Sequence, residues 1–196
     1  MGQRLVANIY QNKDQHRPIM SIYYHWSAYT IPALIEGYKI IDCYKNRRKE
    51  YLPLIPSLIM SLETIGIRID PDDRDYMEIN YAKYKFDREK INRNNGLVAV
   101  TEEQIMEQRL FAEGEINVYL EEEEIYNYCI ECFEDIESYK TWYEYDEVDL
   151  PLLLIDVEHV HYNELPAILN TLNNNDKYKN HYAFQLKDES VVQFIS

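Results

Sequence analysis

Apolar and polar residues alternate between positions 19 and 29, in the segment IMSIYYHWSAY. Since successive side chains of a strand point to opposite faces, this alternation predicts a half-buried β-strand. One predicted face carries apolar or aromatic side chains and the other carries polar-tipped ones: Ile22, Tyr24, Trp26 and Ala28 against Ser21, Tyr23, His25 and Ser27. We expect the first set to build the core, because aromatic and β-branched residues suit a pleated, half-covered surface.

A helix is predicted directly after this strand, over residues 30–45. Thr30 is a favourable N-cap, and Pro32 suits the first turn, where its missing N–H costs nothing. Apolar residues then recur at helical spacing, at Ile31, Leu34, Ile35, Tyr38 and Ile41. The same spacing predicts a second helix over residues 54–65, with Gly66 as its end.

The rest of the chain mixes strands and helices in an order typical of an α+β fold. Residues 4–10 alternate and are predicted to form a hairpin with residues 19–29 across a turn-rich connection. Further strands are predicted at 97–100, 115–120, 125–133 and 152–157, and a terminal hairpin at 181–195. Helices are predicted at 134–145 and after residue 163. Another helix is predicted after the capping box Thr101–Gln104; it carries Ile105, Met106, Leu110 and Phe111 and ends at Gly114.

We therefore expect an α+β protein in which helices pack on one face of one or more antiparallel sheets. A chain of 196 residues can bury a proper core, and a single domain over residues 1–196 is the natural interpretation. Two small lobes, residues 1–112 and 113–196, are the alternative.

Four aspartates between positions 70 and 75 resemble a calcium loop only superficially. An EF-hand loop needs Gly at its sixth position and Glu at its twelfth. Counted from Asp70, those positions hold Asp75 and Tyr81. The segment is therefore predicted to be a solvated loop without a metal.

The net charge of −15 is distributed unevenly along the chain. Residues 1–50 hold eight basic and four acidic side chains, whereas residues 113–149 hold fourteen acidic side chains and one basic one, Lys140. A chain this acidic is disfavoured as a direct nucleic-acid ligand, since phosphate binding depends on Lys and Arg.

The acidic segment predicts an interaction surface in which carboxylates alternate with aromatic rings. Its predicted members are Glu121, Glu122, Glu123, Glu124, Glu134, Asp135, Glu137, Trp142, Tyr143, Glu144, Tyr145 and Asp146. Spaced carboxylates can stand in for phosphates, so such a surface could occupy the basic nucleic-acid groove of another protein. The alternative interpretation is a solvated face that only keeps the protein soluble.

A second predicted site is a ligand pocket on the polar face of the second strand, with Arg4, Tyr23, His25, Ser27, Arg93 and Asn95. Tyrosine stacking and basic groups suit a nucleotide. No catalytic residues and no cofactor are predicted, because the chain contains no G-x-S-x-G, Walker A or G-x-G-x-x-G motif.

Cysteine and histidine patterns do not amount to a metal site. Cys129 and Cys132 form a lone C-x-x-C, and a structural zinc site needs four ligands. His159 and His161 share a strand face without a third ligand that the sequence identifies.

With neither a signal peptide nor a membrane-spanning segment predicted, we expect a cytoplasmic protein with reduced thiols.

At residues 22–30, IYYHWSAYT, and at residues 92–97, NRNNGL, the chain resembles a family of small proteins encoded by bacteriophages and prophages. The resemblance extends loosely from Met1 to about Leu120 and assigns no activity to any residue. It implies a viral origin, and small acidic viral proteins often bind and block host defence enzymes. By analogy, the expected partner is a host protein, in particular a nucleic-acid-binding defence protein.

Three functions follow as hypotheses. The first is a non-enzymatic phage-type inhibitor of a host anti-phage defence factor, acting through the acidic, tyrosine-rich surface. The second is a nucleotide-signal binder or small hydrolase that uses the Arg4 pocket. The third is a virion or assembly protein, which would form a fixed oligomer.

Overall fold

A seven-stranded mixed sheet forms the centre of the part of the chain that the structure describes. The computed structural model describes residues 4–25, 27–81, 96–129 and 158–174. The strands are β1 (Leu5–Tyr10), β2 (Met20–Tyr24), β3 (Ile67–Ile69), β4 (Gly96–Ala99), β5 (Gly114–Tyr119), β6 (Glu124–Asn127) and β7 (His159–His161). Their order across the sheet is β3-β4-β2-β1-β5-β6-β7.

Five α-helices accompany the sheet in the described ranges: α1 (Thr30–Asp42), α2 (Leu54–Glu63), α3 (Pro71–Asn80), α4 (Glu102–Leu110) and α5 (Leu165–Asn174). A π turn, Cys43–Arg47, extends α1. The predicted α+β class is confirmed. None of the described helices is both long enough and apolar enough to cross a bilayer.

The predicted N-terminal hairpin is confirmed. Strands β1 and β2 are antiparallel, with Ala7 opposite Ile22 and Asn8 opposite Ser21. Leu5, Ala7 and Ile9 are fully buried on the same sheet face as Ile22 and Tyr24, which we call the inner face. The second strand is shorter than predicted, because it ends at Tyr24; Trp26 lies outside the described residues.

The sheet is mixed, whereas the sequence predicted antiparallel pairing. β1 pairs with β5 in parallel, and β3 pairs with β4 in parallel. A parallel pair needs a crossover connection, and helices α3 and α4 lie in the two crossovers. The two lobes considered as an alternative, residues 1–112 and 113–196, therefore contribute strands to one sheet.

The inner face is covered by α1, whose apolar stripe was predicted. Gly37 of α1 lies directly against Ile125 of β6, and a Cβ at Gly37 would come within 2.9 Å of the Ile125 side chain. Ile125 faces Val118 on β5, which continues the inner face from Ile9. A glycine is thus required at this helix position by close approach to the sheet.

Helix α4 packs on the opposite, outer face, so the prediction of helices on one face only is wrong. Its Gln108 accepts a hydrogen bond from the Ser21 hydroxyl at 2.7 Å and donates to the Leu97 carbonyl at 3.0 Å. The predicted apolar side of this helix is largely exposed: Met106 is 52%, Leu110 80% and Phe111 53% accessible. Of the predicted apolar residues only Ile105 is buried, and it faces the sheet together with Gln108, whose amide finds polar partners on the outer face.

Helix ends agree with the sequence in two cases and differ in two others. The Thr101 hydroxyl accepts the Gln104 N–H at 3.4 Å, as predicted for an N-cap, and Gly66, with φ 85°, follows α2. Thr30, however, is the first helical residue of α1, and Tyr29 takes the N-cap position. Gly114 does not close α4, which ends at Leu110; it begins β5.

The aspartate segment is a helix start and not a solvated loop, which corrects the prediction. Asp70 caps α3 by accepting the Asp72 N–H at 3.1 Å. Asp73 is 1% exposed and accepts the N–H groups of Val100 at 2.6 Å and Thr101 at 2.9 Å, together with the Thr101 hydroxyl. A buried carboxylate with three donors thus ties α3 to the start of α4.

The helix predicted at 134–145, the strand at 152–157 and the hairpin at 181–195 lie outside the described residues.

Replacing Asp73 by Ala should lower the free energy of unfolding by about 2–4 kcal/mol, since it leaves the part-buried N–H donors of Val100 and Thr101, at the start of α4, without their acceptor. Urea unfolding followed by circular dichroism measures the change. Asp75→Ala, at an exposed position of the same helix, is the control and should change stability by less than about 0.5 kcal/mol. Equal effects of the two substitutions would contradict a structural role for the Asp73 carboxylate.

Candidate functional site

Four aromatic rings from four neighbouring strands form a continuous row on the outer face of the sheet. We call this row, made of Tyr10, Tyr119, Tyr126 and His159, the tyrosine face. Tyr10 stacks on Tyr119 with ring centroids 5.1 Å apart, Tyr119 meets Tyr126 edge to face at 5.6 Å, and Tyr126 lies 4.5 Å from the His159 ring. The strand register produces the row, because it places Tyr10 opposite Tyr119 and Tyr126 opposite His159.

Helix α4 borders the tyrosine face on one side. Arg109 of α4 reaches Glu115 of β5 at 3.3 Å. Glu115 also accepts a hydrogen bond at 3.0 Å from the amide of Asn8, which is 1% exposed. Asn8 donates in addition to Asn117 at 3.2 Å. These polar contacts hold the side chains next to the tyrosine rings in fixed positions.

Four consecutive glutamates run from the β5–β6 turn (Glu121–Glu123) into the first residue of β6 (Glu124), and all four contact polar groups of the protein. We call this segment the Glu121–Glu124 loop. Glu121 accepts from Gln11 at 2.7 Å, and Glu122 accepts the backbone N–H of Lys13 at 3.1 Å. Glu123 binds Lys45, and Glu124 binds Lys13, each at 2.5 Å. The basic N-terminal region therefore lies against the acidic segment and neutralises part of it.

Two of these glutamates place a lysine over a tyrosine ring. The Lys13 ammonium bonds Glu124, lies 3.2 Å from the Tyr126 hydroxyl and stands 5.3 Å from the centre of that ring. The Lys45 ammonium bonds Glu123 and stands 4.7 Å from the centre of the Tyr162 ring. Carboxylate and ring together attract a cation more strongly than either alone.

The loop also holds one strained residue. Glu123 has φ 57°, in the left-handed region that glycine and asparagine occupy at little cost. A glutamate there costs about 1 kcal/mol or more relative to a relaxed conformation. Its side chain binds Lys45, which belongs to the π turn after α1.

The surroundings of the site favour the charged form of the Glu124 carboxylate and the neutral form of the Tyr10 and Tyr119 hydroxyl groups. The hydrogen bond from Lys13 lowers the pKa of Glu124 below its usual range, and the same contact raises the pKa of Lys13. Burial raises the pKa of Tyr10 and of Tyr119. The site therefore presents an anion beside aromatic hydroxyl groups over the ordinary pH range.

The structure brings together only part of the predicted interaction surface. Glu121, Glu122, Glu123 and Glu124 form one continuous segment beside the tyrosine face, with Glu124 as the first residue of β6. The other eight predicted members lie outside the described residues: Glu134, Asp135, Glu137, Trp142, Tyr143, Glu144, Tyr145 and Asp146.

The predicted ligand pocket is partly assembled on the same outer face, at the other end of β1 and β2. The Tyr23 hydroxyl lies 3.3 Å from Nδ1 of His25. Arg4 binds the Glu113 carboxylate through its guanidinium at 3.1 Å and through its backbone N–H at 2.8 Å. Ser27 is partly buried, and Arg93 and Asn95 lie outside the described residues.

The cysteines and His159 were considered above as candidate metal ligands. Cys43 and Cys129 are buried, and Cys132 lies outside the described residues. His159 contacts Glu124 at 3.0 Å. Within the ranges that the structure describes, no three His, Cys, Asp or Glu side chains are placed to hold a metal ion.

Comparison with protein-family models, curated proteins and solved structures gives no match for this chain.

Sequence reasoning missed Lys13, Tyr10 and His159 as parts of the site. Strand alternation does place Tyr10 and Tyr119 on polar faces, which is the one signal that was available. It does not tell which strands are neighbours, so the row of rings could not be assembled from it.

The Lys13–Glu124 contact predicts a specific acid titration. An NMR titration of the Glu124 carboxyl carbon should show a midpoint below the usual value of about 4.3, and Lys13→Ala should raise that midpoint. A depressed folded-state pKa stabilises the protein above the unfolded-state pKa and loses this effect as the pH falls through the lower value. The stability difference between the natural chain and Glu124→Gln should therefore shrink on acidification. Lys49→Ala, which removes a lysine elsewhere, is the control. Similar titration midpoints of Glu124 in the Lys13→Ala and Lys49→Ala variants would contradict the Lys13–Glu124 contact.

Proposed function

We propose that the protein is a non-enzymatic binding protein that attaches to a partner protein through the tyrosine face and the Glu121–Glu124 loop. In line with the phage proteins that the sequence resembles, the proposed partner is a host factor of anti-phage defence, which binding would inhibit in the host cytoplasm. The observation that carries the proposal is the row of four aromatic rings beside a loop of four glutamates.

Tyrosine rings on a rigid sheet suit protein recognition. They provide a large contact area at a low cost in side-chain entropy, and tyrosine is enriched at interface centres. Tyr10, Tyr119 and Tyr126 are partly exposed, and Tyr128, just beyond β6, is 45% accessible. Stacking between the rings holds the side chains in place before a partner binds.

Charge favours a basic partner. The chain has a net charge of −15, and the lysines next to the glutamate loop are already engaged within the protein. The protein as a whole therefore attracts cationic surfaces and repels nucleic acid. A basic nucleic-acid-binding protein of the host fits these properties, with the carboxylates standing in for phosphates.

The nucleotide hypothesis receives weaker support. Its main cation, Arg4, is committed to Glu113 by two hydrogen bonds from its side chain and backbone. A nucleotide phosphate would have to displace this carboxylate.

A pull-down from bacterial lysate tests the proposal. The tagged natural chain should retain a host protein at about 50 mM salt, and retention should fall at about 500 mM, since salt screens surface charges. Tyr126→Ala should reduce retention at least about tenfold, as expected for a residue at the centre of an interface.

Tyr51→Ala is the matched control, since Tyr51 is 80% exposed on the connection between the π turn and α2. It should leave retention unchanged. Equal retention by the Tyr126 and Tyr51 variants, or a thermal shift of the natural chain with a nucleotide, would overturn the proposed function.

A further inference from the structure

The Lys13 ammonium occupies a site built from elements other than its own. Lys13 lies in the loop between β1 and β2, whereas Glu124 and Tyr126 belong to β6 and His159 to β7. The Glu124 carboxylate receives hydrogen bonds from Lys13, from the Tyr126 hydroxyl at 3.2 Å and from His159 at 3.0 Å. We call this arrangement the Glu124–Tyr126 site.

Strand geometry fixes the site without help from Lys13. Tyr126 is opposite His159 in the β6–β7 pair, and Tyr119 closes the other side of its ring edge to face. Glu124 and Tyr126 lie two residues apart on one strand face. A carboxylate that is bonded to the side chains of two aromatic residues, Tyr126 and His159, suits the binding of an organic cation.

Lys13 is the exchangeable part of this arrangement. Its side chain is 41% accessible and belongs to a loop, whereas the Glu124 side chain is 19% accessible and belongs to the sheet. An exposed ion pair of this kind contributes little to stability. Withdrawal of the lysine would leave the carboxylate and the rings in position.

We infer that the Glu124–Tyr126 site receives an arginine side chain of the partner protein, and that Lys13 fills the site in the free protein until the arginine displaces it. This inference rests on the proposed function and adds to it the chemistry of the partner group and an internal competitor.

Arginine is the better occupant for physical reasons. The planar guanidinium stacks on a tyrosine or histidine ring and can donate two hydrogen bonds to one carboxylate, whereas the lysine ammonium is a compact, strongly hydrated charge. It can also donate to the Tyr126 hydroxyl, as Lys13 does. The free energy gained from ring stacking and from the second hydrogen bond favours the replacement of Lys13 by the arginine.

Binding of a fluorescent hexa-arginine peptide, measured by anisotropy at about 50 mM salt, tests the inference. Lys13→Ala should tighten binding about three- to tenfold, because an apparent Kd rises as the fraction of molecules with a free site falls. Lys49→Ala removes the same charge at another exposed position and should tighten binding by less than about twofold, since it changes only the long-range field. A hexa-lysine peptide should bind more weakly than hexa-arginine to Lys13→Ala.

Removing the receptor should remove the effect of Lys13. Glu124→Gln should weaken binding, and Lys13→Ala should give no gain in the Glu124→Gln background. Thermal unfolding of every variant verifies that the fold is kept, and Tyr126→Phe, which retains the ring, gives a second reading if Glu124→Gln unfolds. In that case Tyr126→Phe should bind less tightly than the natural chain.

Equal gains from Lys13→Ala and Lys49→Ala would overturn the inference, as would binding that is independent of Glu124 or no binding of the arginine peptide by Lys13→Ala. The proposed function fails separately. If the pull-down depends on Tyr126 but the arginine peptide ignores Lys13, the binding face remains and only the arginine receptor is lost.

Discussion

The parallel pairing of β1 with β5 is the constraint on which the rest of the structure depends. It places residues 5–10 beside residues 114–119 at the centre of the sheet. This pairing brings the basic N-terminal region against the acidic segment, so Arg4 meets Glu113 and Lys13 meets Glu124. It also aligns Tyr10 with Tyr119, and through them it creates the row of rings. The charge layout and the aromatic face thus have one structural origin.

The two faces of the sheet serve different purposes. On the inner face, apolar side chains and the helix α1 form a packed core, in which even a methyl group at Gly37 would collide with Ile125. On the outer face, α4 covers one half through Ser21 and Gln108, and the other half carries the tyrosine face. A rigid inner core allows the outer side chains to be held in fixed positions, which favours recognition with little entropy loss.

Local patterns in the sequence were sufficient for the elements but not for their arrangement. Alternation predicted β1, β2 and β5, and helical spacing predicted α1 and α2, because these signals depend on neighbouring residues only. Asp73 was assigned to a solvated loop, since nothing nearby reveals that the N–H groups of Val100 and Thr101 would bind it. The same limit hid the site: the glutamates of the β5–β6 loop were predicted as a surface, but their lysine partners come from distant segments. The acidic residues of the predicted surface that lie outside the described residues, from Glu134 to Asp146, remain a prediction.

The central position of β1 has a consequence for biosynthesis. Asn8 and its hydrogen-bond partner Asn117 are separated by 109 positions along the chain. The N-terminal hairpin therefore leaves the ribosome long before its neighbour in the sheet exists, and one of its edges stays unpaired until β5 emerges. Such non-local pairing slows folding and exposes a strand edge to other chains in the interval. The nascent protein should accordingly be most vulnerable to aggregation in the interval before β5 has been synthesised.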